Sequence, residues 1–379
     1  MRIEKVEALP VIMPLSRTFV ISQGITQAFK SVLVKIHTDE GITGVGECVT
    51  STSFRDENLE GIKTTIDNYL APAIIGLDPF DMELILERMD ARVTRNYQSK
   101  AGVDCALFDL QGKALDLPVH RLLGGQYSKQ IEVTFTLSAS ENEEIGAIAK
   151  KMVASGYSTL VVKLEGNEKK DIERFKVVRE AVGGNIKLRA DANQGYHPDK
   201  AIGAIRKLER YEPELVEQPV SRWDLSGMSK VARSVDTPIS ADESNVSIHD
   251  AMQIIRMEAA DILNIKVPKN GGLYLSKKIA AIAEAANIPC LVGGMMTLEI
   301  ARQASRHFAA STKQVRRGYA SDGCGPASQS ITDNITKHVI TYDDVKRLGG
   351  YVEVTDAPGL GVQLDDEKVR KYSQSHLGS

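Results

Sequence analysis

The sequence has little that would direct the protein to nucleic acid, to a membrane or to secretion. Lysine and arginine (47) nearly balance aspartate and glutamate (50), for a formal net charge of -3, and there is no basic tract of the kind that follows phosphates or anionic lipid. No run of about 18 apolar residues occurs, and the N-terminus is charged where a signal peptide is apolar. We therefore expect a cytoplasmic protein that binds neither nucleic acid nor a membrane.

The chain is also poor in cysteine, and its cysteines form neither a Cys-x-x-Cys pair nor a zinc-ligand spacing. They are Cys48, Cys105, Cys290 and Cys324. We expect reduced thiols and no disulfide framework. A large hydrophobic core is available instead, because 379 residues with 42% apolar composition are enough for one α/β barrel or for two domains that share a core.

Residues 1–125 are predicted to form an α+β unit. An alternating strand comes first, and residues 32–47 are typical of a hairpin that turns at Asp39-Glu40-Gly41. Helical patterns follow over about 55–92 and 103–115. The start of the chain is therefore expected to be an antiparallel meander with helices packed on it.

Residues 126–324 show a different pattern, in which short apolar runs alternate with amphipathic stretches of 10 to 15 residues. The apolar runs begin at residues 131, 159, 186, 214, 238, 261 and 289. A parallel crossover needs a covering helix, so this alternation predicts a parallel β/α barrel of seven or eight units. Residues 325–379 turn β-rich and are expected to return to the N-terminal unit.

Polar residues stand at the ends of the predicted barrel strands, where active sites of such barrels are built. Strands two to six end with Lys163, Asp191 and Asn193, Glu217, Asp242 and Glu243, and Lys266. The steps between the first residues of these ends are 28, 26, 25 and 24 positions, one β/α unit each. Because parallel strands align their ends, we expect these side chains to converge at one rim.

Three of these residues are carboxylates from consecutive strands. Asp191, Glu217 and Asp242 offer hard oxygen ligands and no histidine accompanies them, which suits Mg²⁺ better than a softer metal. Any one of the acids, taken alone, is equally well explained as a cap for the following helix. Three in register, with flanking lysines, favour a metal site.

Lys163 and Lys266 belong to strands two and six, on opposite sides of the barrel axis. A lone lysine at a strand end is usually a solvated charge, but this pair brackets the predicted metal. A substrate carboxylate bound there would present its α-carbon to one amine on each face, and a divalent cation would stabilise the enolate that forms. A lysine base then needs only a lowered pKa and the right distance.

Together these residues resemble the mandelate racemase and muconate lactonizing enzyme branch of the enolase superfamily. The resemblance covers nearly the whole chain, through the segments 39–47, 101–125, 156–166, 189–196, 216–220, 240–244 and 264–272. It implies a modified (β/α)₇β barrel with an α+β capping domain, Mg²⁺ held by Asp191, Glu217 and Asp242, and Lys163 and Lys266 as the two bases. A lysine on both faces is typical of the muconate lactonizing subgroup. The resemblance also implies a homo-oligomer.

The second strand departs from the family pattern, which usually ends in Lys-x-Lys. Val161 takes the place of the first lysine, and Glu165 stands two residues beyond Lys163. Alternation along a strand puts all three on one face. The loss of a cation and the gain of a carboxylate both raise the pKa of Lys163. Unless burial lowers that pKa, Lys163 is expected to act as an acid or only as a cation.

Further departures lie where the family selects its substrate. At the end of strand seven, Thr297 and Glu299 compete for the place of the family's acidic residue. Dipeptide epimerases carry paired aspartates at the end of strand eight, and only Asp322 matches here, so dipeptides are not favoured. The loop over residues 14–24 resembles the segment that closes over substrate, and Ser22 is a candidate within it.

The sequence thus predicts a Mg²⁺-dependent enzyme that removes the proton α to a carboxylate of a small acid or amino acid derivative. Racemisation or epimerisation is the natural result, because proton transfer from two sides inverts a centre. In the alternative, β-elimination or cycloisomerisation, Lys266 handles the proton while Lys163 stabilises charge or protonates a leaving group. A third hypothesis is a barrel that binds Mg²⁺ and an organic acid without turnover.

Overall fold

We describe a computed structural model of the chain. The description covers residues 1–21, 24–50, 56–138, 144–316, 319–328 and 330–374. Over these residues an antiparallel sheet with packed helices is followed by a parallel barrel. None of the helices in this part of the chain combines the length and the apolar character needed to cross a bilayer.

The N-terminal sheet is a three-stranded antiparallel meander. Its strands are β1 (Ile3–Ile21), β2 (Gly24–Thr38) and β3 (Thr43–Val49), paired in that order. The turn between β2 and β3 needs a left-handed residue, which Gly41 supplies with φ +78°. Its N–H donates to the carbonyl of Thr38 at 3.0 Å. The hairpin predicted from the sequence is therefore present.

A group of helices packs on this sheet. They are α1 (Leu59–Thr65), α2 (Ala71–Ile74), α3 (Met82–Arg92), α4 (Tyr97–Leu115) and α5 (Val119–Leu122), with a π-helical turn at Ile66–Leu70. Helix α4 lies so close to β3 that a Cβ on Gly44 or Gly46 would come within about 2 Å of a backbone oxygen of α4. Glycine at these two positions is what allows the close approach.

Eight further strands follow in chain order, and the last seven of them form the barrel sheet. They are β4 (Gln130–Glu132), β5 (Phe135–Leu137), β6 (Thr159–Lys163), β7 (Lys187–Asp191), β8 (Pro213–Glu217), β9 (Ile239–Ala241), β10 (Ile262–Ile265) and β11 (Cys290–Val292). Strands β5 to β11 pair in parallel, each with its neighbour in sequence. Every apolar run predicted as a barrel strand is a strand, and the first run is divided between β4 and β5.

Helices separate these strands and cover the barrel. They are α6 (Ile145–Ala154), α7 (Glu168–Val182), α8 (Pro198–Leu208), α9 (Leu225–Ala232), α10 (Ile248–Arg256), α11 (Leu273–Ala285) and α12 (Glu299–Ala310), with 3₁₀ turns at Glu209–Tyr211 and Lys313–Arg316. The alternation predicted for the barrel is therefore present.

The segment 320–323 closes the ring in the eighth position. The N–H of Ser321 donates to the carbonyl of Glu132 at 2.8 Å on one side, and the N–H of Asp322 donates to the carbonyl of Val292 at 2.9 Å on the other. In a ring of eight, β6 and β10 are four places apart. Residues at the ends of these two strands therefore face each other across the barrel axis.

Part of the barrel interior, below its mouth, is apolar. Leu215, Ile262 and Leu291, from β8, β10 and β11, form a buried cluster inside it. Side chains alternate along a strand, so the residue two positions further on lies on the same inner face, nearer the mouth of the barrel. Those residues are Glu217, Asn264 and Gly293.

The C-terminal tail differs from the β-rich segment expected. It contains α13 (Tyr342–Arg347), β12 (Tyr351–Glu353) and α14 (Asp366–Gln374). The apolar run before α13 does not become a strand, because Thr341 and Asp344 form a capping box that begins a helix there. Strand β12 pairs with β4, and α14 packs against β1. The tail therefore contacts both the barrel and the N-terminal sheet.

Two buried carboxyl groups of the N-terminal unit cap helices of the barrel. Asp104 accepts from the N–H of Leu273 at 2.5 Å, at the start of α11. Glu47 accepts from the N–H groups of Leu298 and Ala301 at 2.9 and 3.1 Å, at the start of α12. Burial raises the pKa of Asp104 to about 8 and that of Glu47 to about 7. These caps bind the two units through hydrogen bonds shielded from solvent.

The raised pKa of Asp104 predicts a pH dependence of stability. An aspartate in the unfolded chain has a pKa of about 3.9, so between that value and about 8 the folded state holds a proton that the unfolded state has lost. Stability must therefore fall as the pH rises through this window, by at most about 1.4 kcal/mol per pH unit. As the pH rises from about 5 to about 8, we expect the free energy of unfolding to fall less in Asp104→Asn than in the wild type. Urea denaturation at each pH measures this.

The control is Asp343→Asn, on the exposed side of α13. It should lose stability with pH as the wild type does. If the free energy of unfolding falls equally with pH in the wild type and in both variants, Asp104 does not carry the proton.

Candidate active site

The five strand-end residues stand at one rim of the barrel. Lys163, Asp191 and Glu217 are the last residues of β6, β7 and β8, and they are paired in register from strand to strand. Asp242 and Lys266 directly follow β9 and β10. The two lysines therefore lie on strands that face each other, with the three acids on the strands between them.

Each acid is engaged by a nitrogen of the same cluster. Lys163 donates to Asp191, and Lys266 donates to Oδ2 of Asp242 at 2.6 Å. Glu217 accepts from the amide of Asn264 at 2.9 Å. All of these acids are buried. The cluster therefore balances its charges internally.

The charges of this cluster change the pKa values of its members. Burial raises the pKa of Glu217 well above its usual range, and the charges of Asp191 and Asp242 raise it further. Burial works in the same direction on Asp242, but Lys266 and its neighbour Lys269 outweigh it and hold that pKa below the ordinary value. Glu217 thus has a greater tendency than Asp242 to keep a proton.

Both lysines are held as ammonium ions in this arrangement. Burial works to lower the pKa of Lys163, but the charges of Asp191 and Glu217 outweigh it and leave the pKa above its ordinary value. For Lys266 the burial effect is likewise overcome, by Asp242 and Glu217. Each lysine needs its carboxylate neighbours neutralised before it can accept a proton.

Glu165 is not the cause of the raised pKa of Lys163, contrary to the expectation from sequence. Strand β6 ends at Lys163, so the alternation does not extend two residues further. The carboxylate of Glu165 instead accepts from Arg174 of α7 at 2.7 Å, because the buried guanidinium of Arg174 requires a counter-charge. Val161 is buried within β6.

Asn193 and Glu243 extend the cluster. Asn193 accepts from Lys163 at 3.0 Å through its side-chain oxygen, and its amide donates to Oε1 of Glu243 at 3.2 Å. Its backbone N–H donates to Asp191 at 3.0 Å. Burial, followed by the charges of Asp242 and Asp191, raises the pKa of Glu243 to about 8. Glu243 is therefore a fourth carboxyl group at the site, and its raised pKa favours the protonated form.

The donor set of this cluster fits a hard divalent cation. Asp191, Glu217 and Asp242 offer only oxygen, and repulsion among them is what such an ion would relieve. Oε2 of Glu243 and Oδ1 of Asn264 are buried and accept no hydrogen bond from the described part of the chain. As they stand, however, no three acidic, histidine or cysteine side chains among the described residues are arranged to hold a metal. The lysine and asparagine nitrogens donate hydrogen bonds to the carboxylate oxygens that an ion would need as ligands.

Of the two candidates at the end of strand seven, Glu299 is engaged elsewhere. It is the first residue of α12, and its carboxylate pairs with Arg306 and accepts from Gln303 at 3.1 Å, both of the same helix. Thr297 is buried in the loop that precedes it. Glu299 therefore stabilises its helix and does not extend to the cluster.

Asp322 lies in the segment that closes the ring. Its Oδ1 accepts from the hydroxyl of Thr134, and from that of Thr136 at 3.4 Å. The carboxylate is thus held against β5 and is only half-buried. Ser22, the candidate in the N-terminal loop, lies outside the described residues.

Three residues of the site were missed in the sequence. Lys269 donates to the backbone oxygen and Oδ1 of Asp242 at 2.7 and 2.9 Å. Asn264 holds Glu217, and Gly293 leaves room for both neighbours, because a Cβ there would come within 2.2 Å of the side-chain oxygen of Asn264 and 2.6 Å of Cε of Lys266. The alternation of β10 could have identified Asn264, two residues before Lys266. Nothing in the strand pattern marks Lys269, which follows the strand.

Comparison with known families identifies the class of protein. Residues 4–124 match the family described as mandelate racemase / muconate lactonizing enzyme, N-terminal domain, and residues 144–369 match the one described as enolase C-terminal domain-like. The chain belongs to the mandelate racemase / muconate lactonizing enzyme family of the enolase superfamily. The family and the fold class predicted from the sequence are confirmed.

Several relatives are similar over nearly their whole length. The N-succinyl-L-Arg/Lys racemase of Bacillus cereus is 34% identical over 98% of each chain, and its crystal structure has a TM-score of 0.91. A dipeptide epimerase of Enterococcus faecalis, crystallised with Mg and L-Leu-L-Tyr, is 36% identical over 96% of this chain and 100% of that chain, with a TM-score of 0.89. A muconate lactonizing enzyme of Pseudomonas fluorescens, complexed with muconolactone, is 31% identical over 98% and 99%, with a TM-score of 0.91. These relatives are isomerases, the class that the sequence predicts.

The contacts of Lys269 predict that it stabilises the cluster. Removal of one partner from a buried charge pair costs about 3 to 5 kcal/mol. We expect Lys269→Met to lower the free energy of unfolding by about this amount, measured by guanidinium denaturation, because Asp242 then keeps only Lys266 as its counter-ion. The matched control is Lys278→Met on α11, whose exposed pair with Glu83 should contribute less than about 1 kcal/mol. Equal losses in the two variants would reject the role of Lys269.

Proposed function

We propose that this protein is a Mg²⁺-dependent racemase or epimerase that removes and returns the proton α to a carboxylate. One observation carries the proposal: Lys163, whose side chain is 12% exposed, and Lys266, which is buried, stand on facing strands of the barrel with three carboxylates between them. A carbon held between two such amines can lose its proton to one and gain a proton from the other. The product is the opposite configuration.

Asp191, Glu217 and Asp242 would hold the metal, which supplies positive charge to stabilise the enolate of the substrate. For this the lysines must leave the ion pairs that they make with the acids. The carboxylates that now raise the pKa values of Lys163 and Lys266 would then be neutralised, so both pKa values would fall toward the range of a general base.

The substrate class that we propose is an amino acid whose nitrogen is acylated. A dipeptide and an N-succinyl amino acid have this element in common, and the names of the relatives include both. Asp322, the one acid that matches the aspartates of dipeptide epimerases, accepts two threonine hydroxyls. A free substrate amine would compete with these contacts, so we place N-acyl amino acids that lack such an amine ahead of dipeptides.

Cycloisomerisation is the second candidate, because muconate cycloisomerases are also among the relatives. Val161 in place of a family lysine leaves Lys163 without the neighbouring cation that would help to lower its pKa. In that case Lys266 alone would handle the α-proton, and Lys163 would serve as a cation.

We also propose the domain boundaries of the chain and its assembly. The capping domain comprises residues 1–125, the barrel residues 126–324, and the segment 325–379 returns to the capping domain. The contact of α14 with β1 supports this return. We further propose that the protein is a homo-oligomer, as the family resemblance implies.

Deuterium exchange tests the reaction. The protein is incubated with Mg²⁺ in D₂O with N-succinyl amino acids, dipeptides and chiral hydroxy acids, followed by proton NMR and chiral chromatography. We expect deuterium at the α-carbon together with inversion. In Lys163→Ala, we expect exchange of one antipode through Lys266 without conversion, and Lys266→Ala should exchange only the other.

Each remaining outcome points to another function. Loss of both exchange reactions in Lys163→Ala counts against two bases. An unsaturated or cyclised product indicates elimination or cycloisomerisation. If every compound of the panel is recovered unchanged, a barrel that binds without turnover is favoured.

Metal binding is tested without reference to turnover. We expect Asp242→Asn to weaken Mg²⁺ binding by more than about tenfold in titration calorimetry, because it removes a charged ligand. The control, Asp199→Asn, changes an exposed acid of α8 and should bind as the wild type does. Equal affinity in Asp242→Asn and the control would reject Asp242 as a ligand.

A further inference from the structure

Arg222 joins the N-terminal unit to the mouth of the barrel. It lies in the loop between β8 and α9, and its guanidinium makes two hydrogen bonds to the carboxylate of Asp56, at 2.7 and 3.2 Å. Such a two-point pairing fixes the orientation of both groups as well as their distance. The guanidinium also lies over the ring of Trp223, 4.4 Å from its centre.

Asp56 is fixed within the N-terminal unit. The next residue, Glu57, accepts from the backbone N–H of Gln98 at 2.8 Å at the start of α4. Asn58 caps α1 by accepting from the N–H of Gly61 at 2.7 Å. Three successive residues thus contact three different elements: Asp56 the barrel loop, Glu57 the start of α4 and Asn58 the start of α1.

The backbone of Arg222 is bound to the loops on both sides of its own. Its N–H donates to Oε1 of Gln194, in the loop after β7, at 3.0 Å. Its carbonyl accepts from the hydroxyl of Ser244, in the loop after β9, at 3.2 Å. Strands β7, β8 and β9 are those that end in the three acids of the site.

A short network continues from this point to an acid itself. The amide of Gln218 donates to the hydroxyl of Ser244 at 2.8 Å, and its oxygen accepts from the backbone N–H of Asp242 at 3.0 Å. Gln218 directly follows Glu217 and is fully buried. The loop that carries Arg222 is therefore continuous in hydrogen bonds with the residues that flank two of the acids.

We infer that Arg222 is a positioning residue that, through Asp56, holds the N-terminal unit over the barrel mouth in register with the three acid-bearing loops. The inference rests on the proposed function in one respect: the contact between the N-terminal unit and the barrel mouth is taken to serve substrate binding. Because neither residue belongs to the acid cluster, loss of the pair weakens the closed arrangement and leaves the reacting groups in place.

The catalytic test uses the substrate that the exchange panel identifies. Asp56→Ala and Arg222→Ala are expected to raise KM about three- to tenfold while kcat stays within about twofold. Arg222→Lys, which keeps the charge but loses the two-point geometry, should lie between them and the wild type. The double variant Asp56→Arg with Arg222→Asp should recover part of the loss. The matched control, Glu258→Ala, breaks the exposed pair with Arg233 on the barrel exterior and should leave KM unchanged.

A second measurement needs no turnover, because Trp223 is the single tryptophan of the chain. Its side chain is 71% exposed and touches Arg222, so its fluorescence reports on the ion pair. We expect the emission of the wild type to change as sodium chloride screens the pair, and that of Asp56→Ala to differ at low salt and to respond less.

The two measurements separate the hypotheses. If no substrate is found, the proposed function fails while the salt response of Trp223 still decides the ion pair. A salt response identical in the wild type and in Asp56→Ala overturns the inference. So does a KM change no greater than that of Glu258→Ala, or a joint fall of kcat and melting temperature that the charge-swapped double variant does not relieve.

Discussion

The whole site depends on the balance of charge in a volume that water hardly reaches. Asp191, Glu217 and Asp242 are almost completely buried, and buried charges persist only when they are paired. Lys163 pairs with Asp191, Lys266 and Lys269 pair with Asp242, and Glu217 accepts from the amide of Asn264. Lys163 and Lys266 are also the groups that the proposed reaction needs. A divalent cation would neutralise the acids in place of these lysines.

The geometry of this cluster follows from the barrel. Parallel strands end at one rim, and the segment 320–323 completes a ring of eight in which β6 and β10 face each other. No loop has to be folded into a special shape to oppose Lys163 and Lys266. Loops are needed instead for what surrounds them, such as the contacts of Asn193 with Lys163 and Glu243.

The sequence was enough to predict the site residues whose positions are set by regular secondary structure. It was not enough to identify residues whose role depends on contacts with other parts of the fold. The spacing from Lys163 to Lys266 was enough to place five residues at one rim, because each step is one β/α unit. The extrapolation to Glu165 was wrong because the strand had ended and Arg174 offered a nearer charge. Lys269 meets its partner Asp242 only when the barrel strands have packed together, and Arg222 meets Asp56 only when the N-terminal unit packs on the barrel, so local patterns could not identify them.

The caps that Asp104 and Glu47 place on α11 and α12 make the barrel dependent on a neighbour for the completion of two of its own helices. Evolution by exchange of whole modules is constrained accordingly. A barrel grafted onto a foreign N-terminal unit would inherit helix starts whose amide groups face buried space without an acceptor. Functional diversity in such a fold is therefore more readily reached by changing loops in place than by trading one half for another.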